Sequence, residues 1–281
     1  MDKIIDLHVH STASDGTLTP AQLVEKAASL GISAIALTDH DSVSGIEEAL
    51  ETGKKYHVEI IPGVELSTEY MNTEIHVVGL FIDWHNKALL SQLHAFRDNR
   101  DNRNLKMIDR LQEEGFSITA EAIYDRSPDA VIARPHIARY LVDTGQVKDM
   151  QTVFNKYIGD GCICFVDRMK ITPMQAIAFI HEAGGTAVLA HPCLYKMKRS
   201  ELEKMVEEMV AAGLDGIEAV YSCNQGSDEK DYKEMAARYN LLVSGGSDFH
   251  GSNKPYIKLG TGKGNLSVPY EFLEQIKMSR L

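Results

Sequence analysis

Asp6-Leu7-His8-Val9-His10, with Asp15-Gly16 five residues further on, opens the chain with a strand pattern that carries two imidazoles. Side chains alternate along a strand, so His8 and His10 share a face. Two imidazoles at that spacing on a rigid backbone suit a divalent transition metal. A loop can return the Asp15 carboxylate to the same ion or to a neighbour. Alone, an H-x-H pair is also a common accident of sequence.

The 281 residues are 44% hydrophobic and 25% charged, with mean hydropathy -0.20, as expected of a soluble α/β protein with one large domain or one domain carrying an insertion. A net charge of -11 and a pI near 5.5 argue against a broad basic surface for long nucleic acid. They leave room for a small anionic substrate, because bound cations reverse the field inside a pocket. Residues 1–6 show no basic and apolar leader pattern, and no apolar run approaches the ~20 residues of a membrane helix. Four scattered cysteines do not make a disulfide framework, and Cys162 and Cys164 read as packing residues. The expectation is a cytoplasmic protein with no membrane segment and no obligate protein partner.

From Thr19-Pro20 onward the chain repeats helix, glycine, apolar strand and then a polar residue able to bind metal. Thr19-Pro20 and Thr172-Pro173 have the form of an N-cap followed by a first-turn proline, and Ser44 and Ser200 are further cap candidates. Strands are expected to end at Thr38-Asp39-His40-Asp41, Glu65, His191-Pro192 and Ser247-Asp248-Phe249-His250, with His76 on another strand and Glu218 inside one more. Between 86 and 167 strand character fades. A helical stripe of Leu89, Leu90, Leu93, Phe96, Leu105, Ile108 and Leu111 and several short helices suggest an insertion. The alternating charges of 97–104 read as a solvated helix face. The expected layout is therefore 1–85 and 168–281 as two parts of one barrel, with 86–167 inserted. Alternating strands and helices imply a parallel sheet, and ligand-type residues at nearly every strand end favour a closed barrel over an open doubly wound sheet.

Together the strand-end residues are His8, His10, Asp15, His40, Glu65, His76, His191, Asp248 and His250. So many groups suit two or three ions, and mixed imidazole and carboxylate donors favour Mn, Fe or Zn over Mg or Ca. His57, His85, His94 and His181 have no partners at ligand spacing; Lys196, Tyr221 and Asn224 follow strand ends and could line the pocket, with nothing in the sequence to separate them from ordinary loop residues.

These motifs, with Pro62-Gly63-Val64-Glu65 and Ala190-His191-Pro192, resemble the PHP (polymerase and histidinol phosphatase) family along nearly the whole chain. The resemblance implies a distorted (β/α)7 barrel with a trinuclear metal centre. One ion would be held by His8, His10, Glu65 and Asp248. A second would be held by bridging Glu65 with His76 and His191, and a third by Asp15, His40 and His250. The same nine residues would be the catalytic set, with Mn the first choice of metal. Size and insertion are most similar to the branch of 3',5'-nucleoside bisphosphate phosphatases and short-RNA exoribonucleases. That implies hydrolysis of a phosphate monoester of a small nucleotide, the 3'-phosphate of a nucleoside 3',5'-bisphosphate, by a metal-bridging hydroxide. Within Ala133-Arg134-Pro135-His136, Arg134 and His136 are the substrate-binding candidates, since a guanidinium fork and a helix start both suit phosphate. A 5'-to-3' exoribonuclease on short 5'-phosphorylated RNA, histidinol phosphatase and a non-catalytic metal-dependent sensor are the alternatives.

Overall fold

Two threonine-proline pairs start helices as expected. Thr19 precedes α1 (Pro20–Ser29); its hydroxyl accepts from the Gln22 N–H, and the Gln22 side chain accepts from the Thr19 N–H. Thr172 and Gln175 repeat this at α7 (Pro173–Glu182). Each reciprocal pair satisfies donors that a helix start leaves orphaned, and the first-turn proline has no N–H to leave unpaired. The two serine caps are not made. α2 (Ile46–Tyr56) begins after Gly45, and α8 (Arg199–Ala211) begins one residue before Ser200.

The computed structural model describes residues 3–126, 132–167 and 170–281. It forms two compact units, Met1–Ser91 with Lys170–Leu281, and Gln92–Met169. The first contains β1 (Ile4–Val9), β2 (Ala34–Leu37), β3 (Glu59–Tyr70), β4 (Thr73–Leu80), β5 (Thr186–Leu189), β6 (Gly216–Tyr221), β7 (Leu242–Gly246) and β8 (Val268–Pro269). It also holds α1, α2, α7, α8, α9 (Asp228–Tyr239) and α10 (Tyr270–Met278).

The strands lie side by side as β7-β6-β5-β4-β3-β2-β1-β8. β1, β2 and β3 are parallel, as are β5, β6 and β7. The helices between them supply the crossovers that parallel pairing requires. β4 departs from the expected parallel sheet. It runs antiparallel to both neighbours because Met71 and Asn72, at φ 47° and 61°, turn β3 back in a two-residue hairpin.

The sheet nearly closes where the ends of β1 and β7 meet. Asp248 N–H donates to His8 O at 2.8 Å, and His10 N–H donates to Phe249 O at 3.0 Å. Gly246 permits this approach, since a Cβ there would sit 2.6 Å from the His8 nitrogen. Ile5, Leu7, Ala34, Ala36, Ile61, Val78, Leu80 and Val188 fill the core beneath, so the polar groups collect at one end of a dry barrel.

α3 (Lys87–Glu113) leads into the second unit, which holds α4 (Ala120–Tyr124), α5 (Arg134–Asp143) and α6 (Met150–Val153). Met107, Ile108, Leu111, Ile123, Ile137, Leu141 and Cys164 share its core. Leu105 departs from the expected stripe and is exposed. Asn104 turns inward instead, donating to Ile132 O at 2.9 Å, because 104, 107, 108 and 111 hold the helical period. The expected solvated face at 97–104 is therefore interrupted by buried Arg103 and Asn104; the side chains of Arg97 and Arg100 lie outside the described residues. All four cysteines are free.

Gly246→Ala forces a Cβ against backbone that cannot yield. The variant should lose about 2 kcal/mol of stability or more, measured by chemical denaturation, whereas Gly31→Ala, where a Cβ meets nothing within 4 Å and only the φ of 71° opposes it, should lose less.

Candidate metal centre

β3 runs from the core into the polar end of the barrel, where it presents Glu65 with no solvent exposure. Five imidazoles surround this carboxylate. His8 Nε2, His10 Nε2 and His40 Nδ1 stand 3.3, 3.3 and 3.0 Å from Oε2. His76 Nδ1 and His191 Nε2 stand 2.9 and 3.0 Å from Oε1. Asp248 Oδ1 faces His10 Nε2 at 3.3 Å and His250 Nδ1 at 3.2 Å. Asp15 Oδ1 faces His250 Nε2 at 3.2 Å and His40 Nε2 at 4.0 Å. The nine residues expected from sequence thus meet in one place.

Their donor atoms form four overlapping groups, each within 4.8 Å: His10, Asp15, His40 and His250; His8, Glu65 and His191; His8, His10 and Asp248; His40, Glu65 and His76. Close approach is not accompanied by hydrogen bonding everywhere. His8 Nε2, both ring nitrogens of His10, His40 Nδ1 and Glu65 Oε2 are buried without a hydrogen-bond partner. Buried polar atoms are nearly always satisfied, so convergent orphans of this kind fit a cation better than they fit one another. The donor set can chelate divalent metal ions.

A second layer holds these groups in place. Glu218, from the middle of β6, lies 3.0 Å from His8 Nδ1 and accepts the His191 N–H at 2.7 Å. A carboxylate partner of this kind fixes the tautomer and aim of a ligating imidazole. Tyr221 OH and Lys254 Nζ both lie 2.7 Å from Asp248 Oδ2, which leaves Oδ1 toward the histidines. Asp39 accepts from Ser11 N–H, Ser11 Oγ and Ser14 Oγ, fixing the loop that carries Asp15. His191 and Asp248 have φ of 26° and 58°, a conformation costing about 1–3 kcal/mol apiece that survives only where surroundings over-determine it.

The sequence marks Glu218 only as lying inside a strand and Tyr221 only as a strand-end residue that could line the pocket, and it does not mark Lys254. A carboxylate in the otherwise uncharged segment 216–221 was a usable signal for Glu218; Lys254 offered none. His181 pairs with Asp215 at 2.8 Å, away from the nine. In the second unit, Arg134 begins α5, with Nη1 2.6 Å from Asp160 Oδ1 and its guanidinium 5.7 Å from the Phe165 ring centre. His136 Nδ1 accepts the Ala133 N–H at 3.0 Å, which puts any single ring proton on Nε2.

Burial disfavours charge throughout the centre, yet the carboxylates stay ionised. The neighbouring histidines hold Glu65 and Asp15 well below the usual range, and Lys254 with the histidines does so for Asp248. Burial pulls His10 down, but Asp248 and Glu65 outweigh it and push it up to about 9. Glu65 and Glu74 likewise lift His76 to about 10 against its burial. Burial wins at His40, lowered to about 3, and at His250, lowered with the help of His10.

Residues 6–243 match the PHP domain. The chain belongs to the PHP family. It is 38% identical over 254 residues to a 5'-3' exoribonuclease of Haemophilus influenzae, covering 89% of this chain and 91% of that one. It is also 38% identical over 248 residues to a 3',5'-nucleoside bisphosphate phosphatase of Chromobacterium violaceum, covering 88% and 87%. A metal-dependent phosphoesterase fold from Bifidobacterium adolescentis superposes with a TM-score of 0.86 at 30% identity, over 99% of this chain and 96% of that one. With its cluster of chelating groups, this PHP-fold chain is a metal-dependent phosphoesterase acting on a small phosphorylated substrate. Among the described residues, no helix is long and apolar enough to cross a membrane.

Protons on His10 and His76 near neutral pH must leave before those nitrogens can bind an ion. Mn²⁺ binding at pH 7 should therefore release protons and tighten as pH rises. Titration calorimetry in buffers of different ionisation enthalpy measures this, and heats independent of the buffer would contradict it. Glu218→Gln should weaken Mn²⁺ binding about 10- to 100-fold.

Proposed function

We propose that this chain hydrolyses the 3'-phosphate of a nucleoside 3',5'-bisphosphate, using two or three divalent ions held by His8, His10, Asp15, His40, Glu65, His76, His191, Asp248 and His250. The observation that carries the reading is Glu65, a buried carboxylate with five imidazoles around its two oxygens. Ions bound there, Mn first and Fe or Zn next, supply a nucleophile from coordinated water at neutral pH and offset charge on the phosphoryl oxygens.

The chain's own groups set up that chemistry. Ionised Asp15, Glu65 and Asp248 provide the negative charge, and neutral His40 and His250 provide lone pairs that need no deprotonation. Glu218 aims His8, while Tyr221 and Lys254 occupy Asp248 Oδ2 so that Oδ1 keeps its direction. Arg134 and His136 are the proposed substrate-binding residues. Arg134 stands at a helix start that favours anions, and its planar fork can grip two phosphate oxygens.

A second reading is trimming of short 5'-phosphorylated RNA from its 5' end. The Haemophilus relative, named for that activity, is as similar to this chain as the bisphosphate phosphatase is. The two readings differ in the phosphorus attacked, a terminal phosphate in the bisphosphate and a bridge to the next nucleotide in RNA.

Product formation with added Mn²⁺ tests this directly, read as inorganic phosphate from adenosine 3',5'-bisphosphate and histidinol phosphate and as mononucleotides from a 5'-phosphorylated RNA dinucleotide. The bisphosphate should be fastest, with AMP as product. Faster cleavage of the dinucleotide would transfer the proposal to the second reading, and preference for histidinol phosphate would replace the substrate class. Turnover of none would leave the sensor alternative standing. Asp248→Ala should abolish turnover while the chain remains folded. Arg134→Ala should raise KM about tenfold, the worth of one charged hydrogen bond.

A further inference from the structure

Between α1, the start of β1 and the segment 251–261 lies a cavity of about 700 Å³, a size typical of small-molecule sites. Ile4, Leu18, Leu30 and Phe249 line it, with Lys26 and Lys258. Phe249 sits between two of the nine converging residues in sequence, yet it lines this separate space. Leu30 is 55% exposed, so the apolar wall opens to solvent.

The charges around the cavity are as informative as its walls. Lys26 and Lys258 are both exposed, and among the described residues neither makes an ion pair or a side-chain hydrogen bond. Two uncompensated cations beside an apolar wall, in a chain of net charge -11, offer a place for one anionic head attached to an apolar body. A short anion would leave the wall wet, and a neutral amphiphile would leave the lysines unanswered.

The cavity is also pre-formed. Lys258 and Gly262 exchange both backbone hydrogen bonds at 2.8 Å. Gly260 N–H donates to Asp6 Oδ2 at 2.8 Å, and Asp6 Oδ1 accepts the Ser247 N–H at 2.7 Å. Asp6 therefore ties the wall to the backbone of the barrel end. Little ordering remains for a ligand to impose, which favours binding.

We propose that this cavity binds an amphipathic anion, an alkyl chain ending in a single anionic head. Lys26 and Lys258 hold the head, and the wall of Ile4, Leu18, Leu30 and Phe249 takes the chain.

Titration calorimetry of decanoate into the full chain tests the site without reference to turnover, so the result stands apart from the proposed reaction. Saturable one-to-one binding is expected, with decanol and acetate binding at least tenfold more weakly. Lys26→Gln/Lys258→Gln, two exposed positions, should weaken decanoate at least tenfold with little change in melting temperature. Leu30→Glu, which sets a carboxylate at the opening, should do the same. Absence of saturable decanoate binding, equal binding of decanol, or binding undiminished in both variants would overturn the proposal.

Discussion

Glu65 is the constraint on which the rest of the structure depends. A carboxylate with no solvent exposure carries five imidazoles on two oxygens, and those imidazoles arrive from β1, the ends of β2 and β5, and β4. Removing a carboxylate from water costs several kcal/mol. The fold meets that cost by bringing strand ends together so that opposite charge and imidazole dipoles replace the water. The backbone is laced to match. Glu65 N–H donates to Asp39 O and Asp41 N–H to Glu65 O, while Thr38 N–H donates to Val9 O. The ladder that closes the barrel and the ladder that places the donors are one set of hydrogen bonds.

This arrangement explains why the charged groups outside the nine matter. Glu218 accepts from the His191 backbone at the position where φ is 26°, so it supports an unfavourable conformation while orienting His8. Asp248, at φ 58°, is held by Tyr221 and Lys254 through one oxygen and by its own N–H on His8 O. Each strained residue thus has a buried polar partner that would be left unsatisfied if the backbone relaxed.

The parts of the fold legible in the sequence were those with local chemistry. Thr19-Pro20 and Thr172-Pro173 announce their helices because a cap needs only three neighbouring residues. Six of the nine site residues were legible because they follow an apolar strand, and strand ends of parallel α/β sheets converge in space. His8, Glu65 and His76 lie within β1, β3 and β4, and β3 runs on past its expected end at Glu65 to Tyr70. What escaped was set by tertiary contacts. Met71 and Asn72 reverse β3 without the glycine that marks most such turns, so the antiparallel course of β4 had no local sign. Tyr221 and Lys254 meet at Asp248 only after the barrel closes. Leu105 follows the polarity rule for a core residue but misses the helical phase that Met107 and Leu111 keep.

Charge balance links the site to its substrate class. Asp15, Glu65 and Asp248 stay ionised at the barrel end of a chain whose net charge is -11. Protons on His8, His10 and His76 and the Lys254 ammonium answer that charge near neutral pH, all of them close to carboxylates. Divalent cations on the same donor atoms would replace those protons and carry more charge than they displace, making the local field more positive. An anionic substrate would then be drawn to the barrel end more strongly with the metals in place. This ties recognition to chemistry through one buried carboxylate and requires no basic surface on the barrel.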